Sequence, residues 1–214
     1  MYGSSQRAWL AGLLAVSTLA GCAGARTSAS NEPDISVFTA PRQPYSEADI
    51  HFMSGMIPHH AQAVLIAGWA ESHGAGRAVR VLSERIAVAQ RDEIAMMQGW
   101  LRARGQPVPE ADATHLTMTT DGTTHDMLMP GMLTAEELAT LDLARGEEFE
   151  RLFLTSMVRH HQGAITMVEQ LFGSHGAAQD DIVYMFASDV YADQTTEIER
   201  MQRMLESLTA GGGS

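Results

Sequence analysis

Lysine is absent from this 214-residue sequence, and cysteine occurs once, at Cys22. All the fixed positive charge comes from fourteen arginines, set against 26 Asp and Glu for a formal net charge of -12. That balance argues against a nucleic-acid backbone or an anionic membrane surface as partner and leaves cations open. A single thiol excludes an internal disulfide, a four-cysteine zinc site and a cysteine-held iron–sulfur cluster. Aromatic residues are scarce at 6%, yet 45% of the chain is hydrophobic, which is core enough for one domain. Thioether and imidazole are what the chain has in excess, with fourteen Met and nine His.

No apolar run is long enough to span a bilayer. The run from Ala8 to Ala20 instead fits the hydrophobic region of a secretory signal behind Arg7. Leu19-Ala20-Gly21-Cys22 resembles the lipobox of bacterial lipoproteins. Residues 1–21 are therefore expected to be a signal peptide. Cys22 would be lipidated and anchor the protein to a membrane of the cell envelope, on the periplasmic or other extracytoplasmic side; plain secretion with a free thiol is the alternative. Residues 22–45, rich in Ser, Ala, Thr and Pro, read as a flexible tether, and 209–214 as a disordered tail.

Between them, 46–208 repeats itself. Phe52-Met53-Ser54-Gly55-Met56-Ile57-Pro58-His59-His60 aligns with Phe153-Leu154-Thr155-Ser156-Met157-Val158-Arg159-His160-His161. Ser72-His73-Gly74-Ala75 aligns with Ser174-His175-Gly176-Ala177, and Gln90 to Met97 with Gln194 to Met201. Each half reads as helix, glycine-containing turn, helix. Ser46 with Asp49 and Thr134 with Glu137 have capping-box spacing. The spacing predicts helices over Glu47 to Ser72, Arg77 to Arg104, Ala135 to Phe172 and Ala178 to Leu208, the first kinked at Pro58. Residues 105–133 show no helical period and no strand alternation, and read as a long connection. The expected fold is all-α: a ferritin-like four-helix bundle made of two pseudo-repeated hairpins.

On a helical wheel His59 falls about 60° to one side of Met56 and His60 about 40° to the other, so both face the apolar stripe. Met157, His160 and His161 repeat those angles. Gln90, Glu93 and Met97, and Gln194, Glu197 and Met201, share the inward stripes of the other two helices. Imidazole and thioether are borderline and soft ligands, which suit copper, and silver by the same softness, better than calcium or magnesium. His59, His60, His160 and His161, with Met56 and Met157, are the candidate metal ligands. Glu93 and Glu197 are ligands or acceptors that fix the histidine tautomers, and Gln90 and Gln194 are expected as hydrogen-bond partners. A stripe of Met is also ordinary core filling, and a lone inward His is often just a hydrogen-bonded core residue. Two adjacent His pairs behind a Met are harder to explain that way, because four buried imidazoles need four sets of partners.

The connection carries the same bias. His115 to Met132 holds two His and four Met in 18 residues. His115, Met118, His125, Met127, Met129 and Met132 could therefore wrap a cuprous ion, or the Met side chains could dock on the bundle. A di-iron site would need Glu-x-x-His motifs, which are missing, and no nucleophile has a defined base and acid. No organic cofactor and no enzyme activity are expected; a metal oxidase is the disfavoured exception.

The doubled Met-x-x-His-His, with Phe52 and Phe153 ahead of it, resembles the DUF305 family of secreted ferritin-like proteins over about Ser46 to Leu208. That resemblance implies a helical bundle in the cell envelope, some members being similar to periplasmic copper-binding proteins that aid copper resistance. The expected function is a cell-envelope lipoprotein that binds Cu(I) or Cu(II) for sequestration or resistance. The alternative is a metal-free helical module that binds a partner protein through Met-rich faces, and self-association into a homo-oligomer is open.

Overall fold

The structure, a computed structural model, describes residues 44–120 and 123–211, with side chains for these residues other than 116–126. The expected signal peptide, Cys22, the expected 22–45 tether up to residue 43 and the last three residues of the 209–214 segment lie outside the described residues.

Ser46 starts α1 (Glu47–Ala67) with a full capping box: its side chain accepts from the Asp49 amide while Asp49 takes the Ser46 amide at 2.7 Å. The other Asp49 oxygen accepts from the Ala178 amide at 2.7 Å, so this cap also ties α1 to the turn before the last helix. The chain then turns through Gly74, whose φ of +72° permits the paired bonds from Ala75 to Ala70 and from Gly74 to Glu71. α2 (Arg77–Arg102) follows and ends in the same way at Gly105. Two short strands, β1 (Leu116–Thr120) and β2 (Thr123–Met127), form an antiparallel hairpin with Met118 opposite His125. α3 (Ala135–Leu143) starts on the Thr134–Glu137 capping box; α4 (Gly146–Gly173) and α5 (Asp181–Gly211) complete the fold.

α1 packs on α2 and α4 on α5 as two hairpins, which meet through α1 and α4. The all-helical bundle is as expected, and both capping boxes form. Among the described residues no helix is long and apolar enough to cross a membrane. Four local expectations need correction, the first at the end of the chain, where α5 runs on to Gly211 and residues 209–211 of the expected disordered tail are helical. The first helix ends at Ala67, and the residues to Gly74 are turns. The predicted third helix is two, because Ala144 and Arg145 are extended and Gly146 has φ of +58°. The Gly146 amide is then free to donate to the His73 carbonyl at 2.8 Å. The connection also contains a β-hairpin where no strand was expected; Leu116-Thr117-Met118-Thr119 does alternate apolar with polar residues, over too short a run to have been read as a strand.

The core is divided by a polar layer. One apolar cluster gathers Phe52, Met53, Met56, Met97 and Trp100 with Leu171 and Phe186 at one end. The other gathers Leu82, Phe149, Phe153, Met157 and Met201 at the opposite end. Between them lie His59, His60, Gln62, Gln90, His160, His161 and Gln194, all buried.

Candidate metal centre

Four imidazoles occupy the contact between α1 and α4, each 0% exposed. The His59 and His160 rings are 3.8 Å apart, centre to centre, and each lies about 6 Å from its own neighbour, His60 at 6.1 Å and His161 at 6.2 Å. The i, i+1 spacing sends one member of each pair across the helix interface and the other toward its own hairpin partner. The two helices that carry Met-x-x-His-His are therefore adjacent.

The outer members are held by carboxylates. Glu93 on α2 stands 2.6 Å from His60 Nε2, and Glu197 on α5 stands 2.7 Å from His161 Nε2. An ionised carboxylate only accepts, so Nε2 carries a proton in both rings, and in the neutral ring Nδ1 is the nitrogen with the lone pair. His59 Nε2 lies 3.1 Å from the Pro130 carbonyl, which selects the same tautomer. Nδ1 of all four histidines, and Nε2 of His160, are buried without a partner. Burial and then the neighbouring imidazoles push the His59 and His160 pKa values well below the ordinary 6.5, so these rings stay neutral and able to donate a lone pair. Among the described residues no three His, Cys, Asp or Glu side chains converge into a closed cation cage. The histidines form a cluster of near neighbours that present nitrogen lone pairs.

Met56 and Met157 are fully buried on opposite sides of this layer, one in each apolar cluster, as the repeat requires. Gln90 and Gln194 are buried as expected, but their Oε1 atoms lack partners, contrary to the hydrogen-bonding role expected of them. The helices position both amides in the polar layer without supplying a donor.

The end of the connection closes one side of the cluster as a strap. Gln62 grips Leu133 twice, donating to its carbonyl at 2.9 Å and accepting from its amide at 2.6 Å. Pro130-Gly131 lies directly on Gly163, where a Cβ would overlap the Pro130 carbonyl. Met129 covers Gly55, its sulfur 2.8 Å from where a Cβ would stand. Of the candidate loop ligands, Met129 and Met132 are thus docked on the bundle, and Met127 is 38% exposed. Met127 and Met129 line a cavity of about 420 Å³ with His51 and Met167. His115 lies apart, on a groove beside His51 and Ser54. The side chains of Met118 and His125 lie outside the described residues.

Several residues of the site were not singled out by the sequence. Gln62 and Gly163 occupy equivalent places in the two repeats, and their difference is the signal: one bonds the strap, the other lets its backbone approach. Asp193, beside Glu93 and Glu197 at the α2–α5 cleft, had no such signal. His73, in the turn after α1, is buried at 4% exposure, bonding Ser72 and Asp142 and stacking on Trp69.

Residues 49–205 match the family profile DUF305, a domain of unknown function. A DUF305 protein from Streptomyces coelicolor, described as secreted, is 30% identical with a TM-score of 0.63, over 76% of this chain and 94% of its own. A DUF305 fragment from Deinococcus radiodurans is 29% identical with a TM-score of 0.63, over 77% and 99%. CopM in its Cu(I)-bound form is 25% identical with a TM-score of 0.56, over 74% and 96%. Among curated proteins none matches the chain by sequence.

Proposed function

The chain belongs to the DUF305 family, and from that premise we propose that it is a lipid-anchored cell-envelope protein that binds copper as cargo, for sequestration or resistance, without catalysis. The observation that carries this reading is the set of buried, unpartnered imidazole nitrogens. A buried polar atom without a partner costs about 1–3 kcal/mol, and four histidines repeat the arrangement. Their lone pairs, the lowered pKa values of His59 and His160, and the flanking thioethers of Met56 and Met157 suit copper, and silver by the same softness. Glu93 and Glu197 fix the tautomers from outside the ligand set, which is the usual partner of a metal-bound histidine. CopM, a relative of the same fold, is known with Cu(I) and also with silver, where the identity is 26%. A secreted relative and the lipobox at Cys22 support the location. The alternative of a partner-binding Met face is left with Met127 and Met185 at the surface, because Met56, Met97, Met157 and Met201 are all 0% exposed.

Competition titration against a cuprous chelator tests it. Replacing His59, His60, His160 and His161 together by Ala should weaken the tightest site by more than about 100-fold while leaving helicity by circular dichroism largely intact, since changes beyond the ligands themselves already cost about 10- to 100-fold. Glu93→Gln and Glu197→Gln belong to that smaller class. Because burial holds the His59 and His160 pKa values well below 6.5, these two rings should keep their metal below about pH 6 and lose it only in more acid solution, where imidazole takes a proton in competition with the metal. Equal affinity in the wild type and the quadruple variant would overturn the assignment and move any binding to the segment from His115 to Met132.

A further inference from the structure

The strap covers one side of the histidine cluster; the opposite side, between α2 and α5, is an open cleft of about 180 Å³. Its lining includes Glu93, Glu197, Asp193, Gln90 and Gln194, with Arg85 also present. Three carboxylates thus share one recess, and Asp193 registers the crowding: burial first, then the charges of Glu93, Glu197 and Asp189, raise its pKa above the ordinary carboxylate value. Gln90 and Gln194 are 3% and 4% exposed, and the carbonyl oxygen of each side chain has no partner. The cleft therefore offers two amide oxygens that nothing among the described residues satisfies, beside three carboxylates. The histidine cluster lies just behind this lining, because Glu93 and Glu197 touch His60 and His161 at 2.6 and 2.7 Å.

We propose that this cleft is a vestibule that draws a hydrated divalent metal cation from solvent and delivers it to His60 and His161. This rests on the metal-binding reading above and adds the route and the form in which the ion arrives. Oxygen donors suit a cation that still carries water, whereas the nitrogen and sulfur donors beyond suit one that has shed it. The carboxylates do not converge into a cage. They attract and pass on the ion by their field, which a recess of one charge sign concentrates. Asp193 contributes to that field without touching the histidines. Arg85 opposes it from the same lining.

Stopped-flow mixing of the full protein with Cu(II) at low and raised salt decides the matter, using Asp193→Asn, which changes an exposed side chain and spares the cluster. The association rate should fall about two- to fivefold at low salt and converge with wild type as salt screens the field. Ala89 occupies the place in the first repeat that Asp193 holds in the second and lines the same cleft, so Ala89→Asp should raise the rate by a similar factor. Glu206→Gln, an equal charge change far along α5, should leave it unmoved. Wild-type binding with rates unaltered in both cleft variants overturns the vestibule alone. Absence of Cu(II) binding by the wild type overturns the vestibule, and absence of Cu(I) binding in the chelator titration overturns the metal reading beneath it.

Discussion

A histidine sealed into the middle of a bundle gives up its proton before it gives up its position. His59 and His160 are held neutral by burial and then by adjacent imidazoles, their pKa values well below 6.5. The unfolded chain takes up those two protons below about pH 6.5 and the folded chain does not, so acid favours unfolding. The contribution of the neutral pair is thus complete above about pH 6.5 and is lost as pH falls beneath it. Linkage sets the slope at about 1.4 kcal/mol per pH unit for each histidine, or nearly 3 for the pair, until the folded-state values are reached. Urea unfolding of the metal-free protein between about pH 7.5 and 5 should show this decline, and a flat profile would mean that the rings protonate in place. Glu137 acts in a separate, more acid window. Its hydrogen bonds from Arg159, at 2.6 and 2.8 Å, lower its pKa from 4.5 to about 2, so that stabilisation is present above pH 4.5 and lost on the way to 2. The pair is exposed, so it is worth only about 0.2–1 kcal/mol.

Among the elements, the strap from Met129 to Leu133 depends on glycine at one place above all. A methyl group on Gly163 would collide with the Pro130 carbonyl and crowd Gly131, which itself needs its φ of +79°. Backbone cannot swing aside as a flexible side chain can. Gly163→Ala should therefore lift the strap and lower stability by about 1–3 kcal/mol, with faster hydrogen exchange at the Leu133 amide, whose partner is Gln62 Oε1. Protection of Leu133 equal to wild type would show that the contact relaxes without moving the strap. This element also marks where sequence stops being legible. Local signals, such as Ser46 with Asp49 or the stripe of Met56, His59 and His60, act within a few residues and can be read directly. The Pro130–Gly163 contact joins residues far apart, and only the mismatch of Gln62 with Gly163 between repeats hints at it. The break at Ala144-Arg145 was hidden because Leu141 and Phe149 remain buried on both sides of it, preserving an apolar pattern across the gap. Gly146 followed by Glu147 and Glu148 was the local clue, since acids favour a helix start.

For the molecule as a whole, the two hairpins meet through α1 and α4, and the meeting point is the polar layer rather than either apolar cluster. A core interrupted in this way gives up apolar burial and leaves ring nitrogens unpartnered. Metal binding at His59 and His60 from one hairpin and His160 and His161 from the other would satisfy those nitrogens and join the two halves. Because the ligands come together only in the folded chain, such binding stabilises the native state by RT ln(1 + [L]/Kd), about 2.7 kcal/mol at a hundredfold excess of free metal over Kd. For a domain of this size that raises Tm by about 5–10 °C. Silver(I), which binds similar ligands without redox cycling, is the better probe for a thermal scan. The shift should appear in wild type, vanish in the quadruple His→Ala variant and persist in Cys22→Ala, whose thiol lies far outside the repeat in sequence. A shift of equal size in the quadruple variant would place the stabilising ion elsewhere, with Met127, Met129 and Met167 around their shared cavity as the next set to replace.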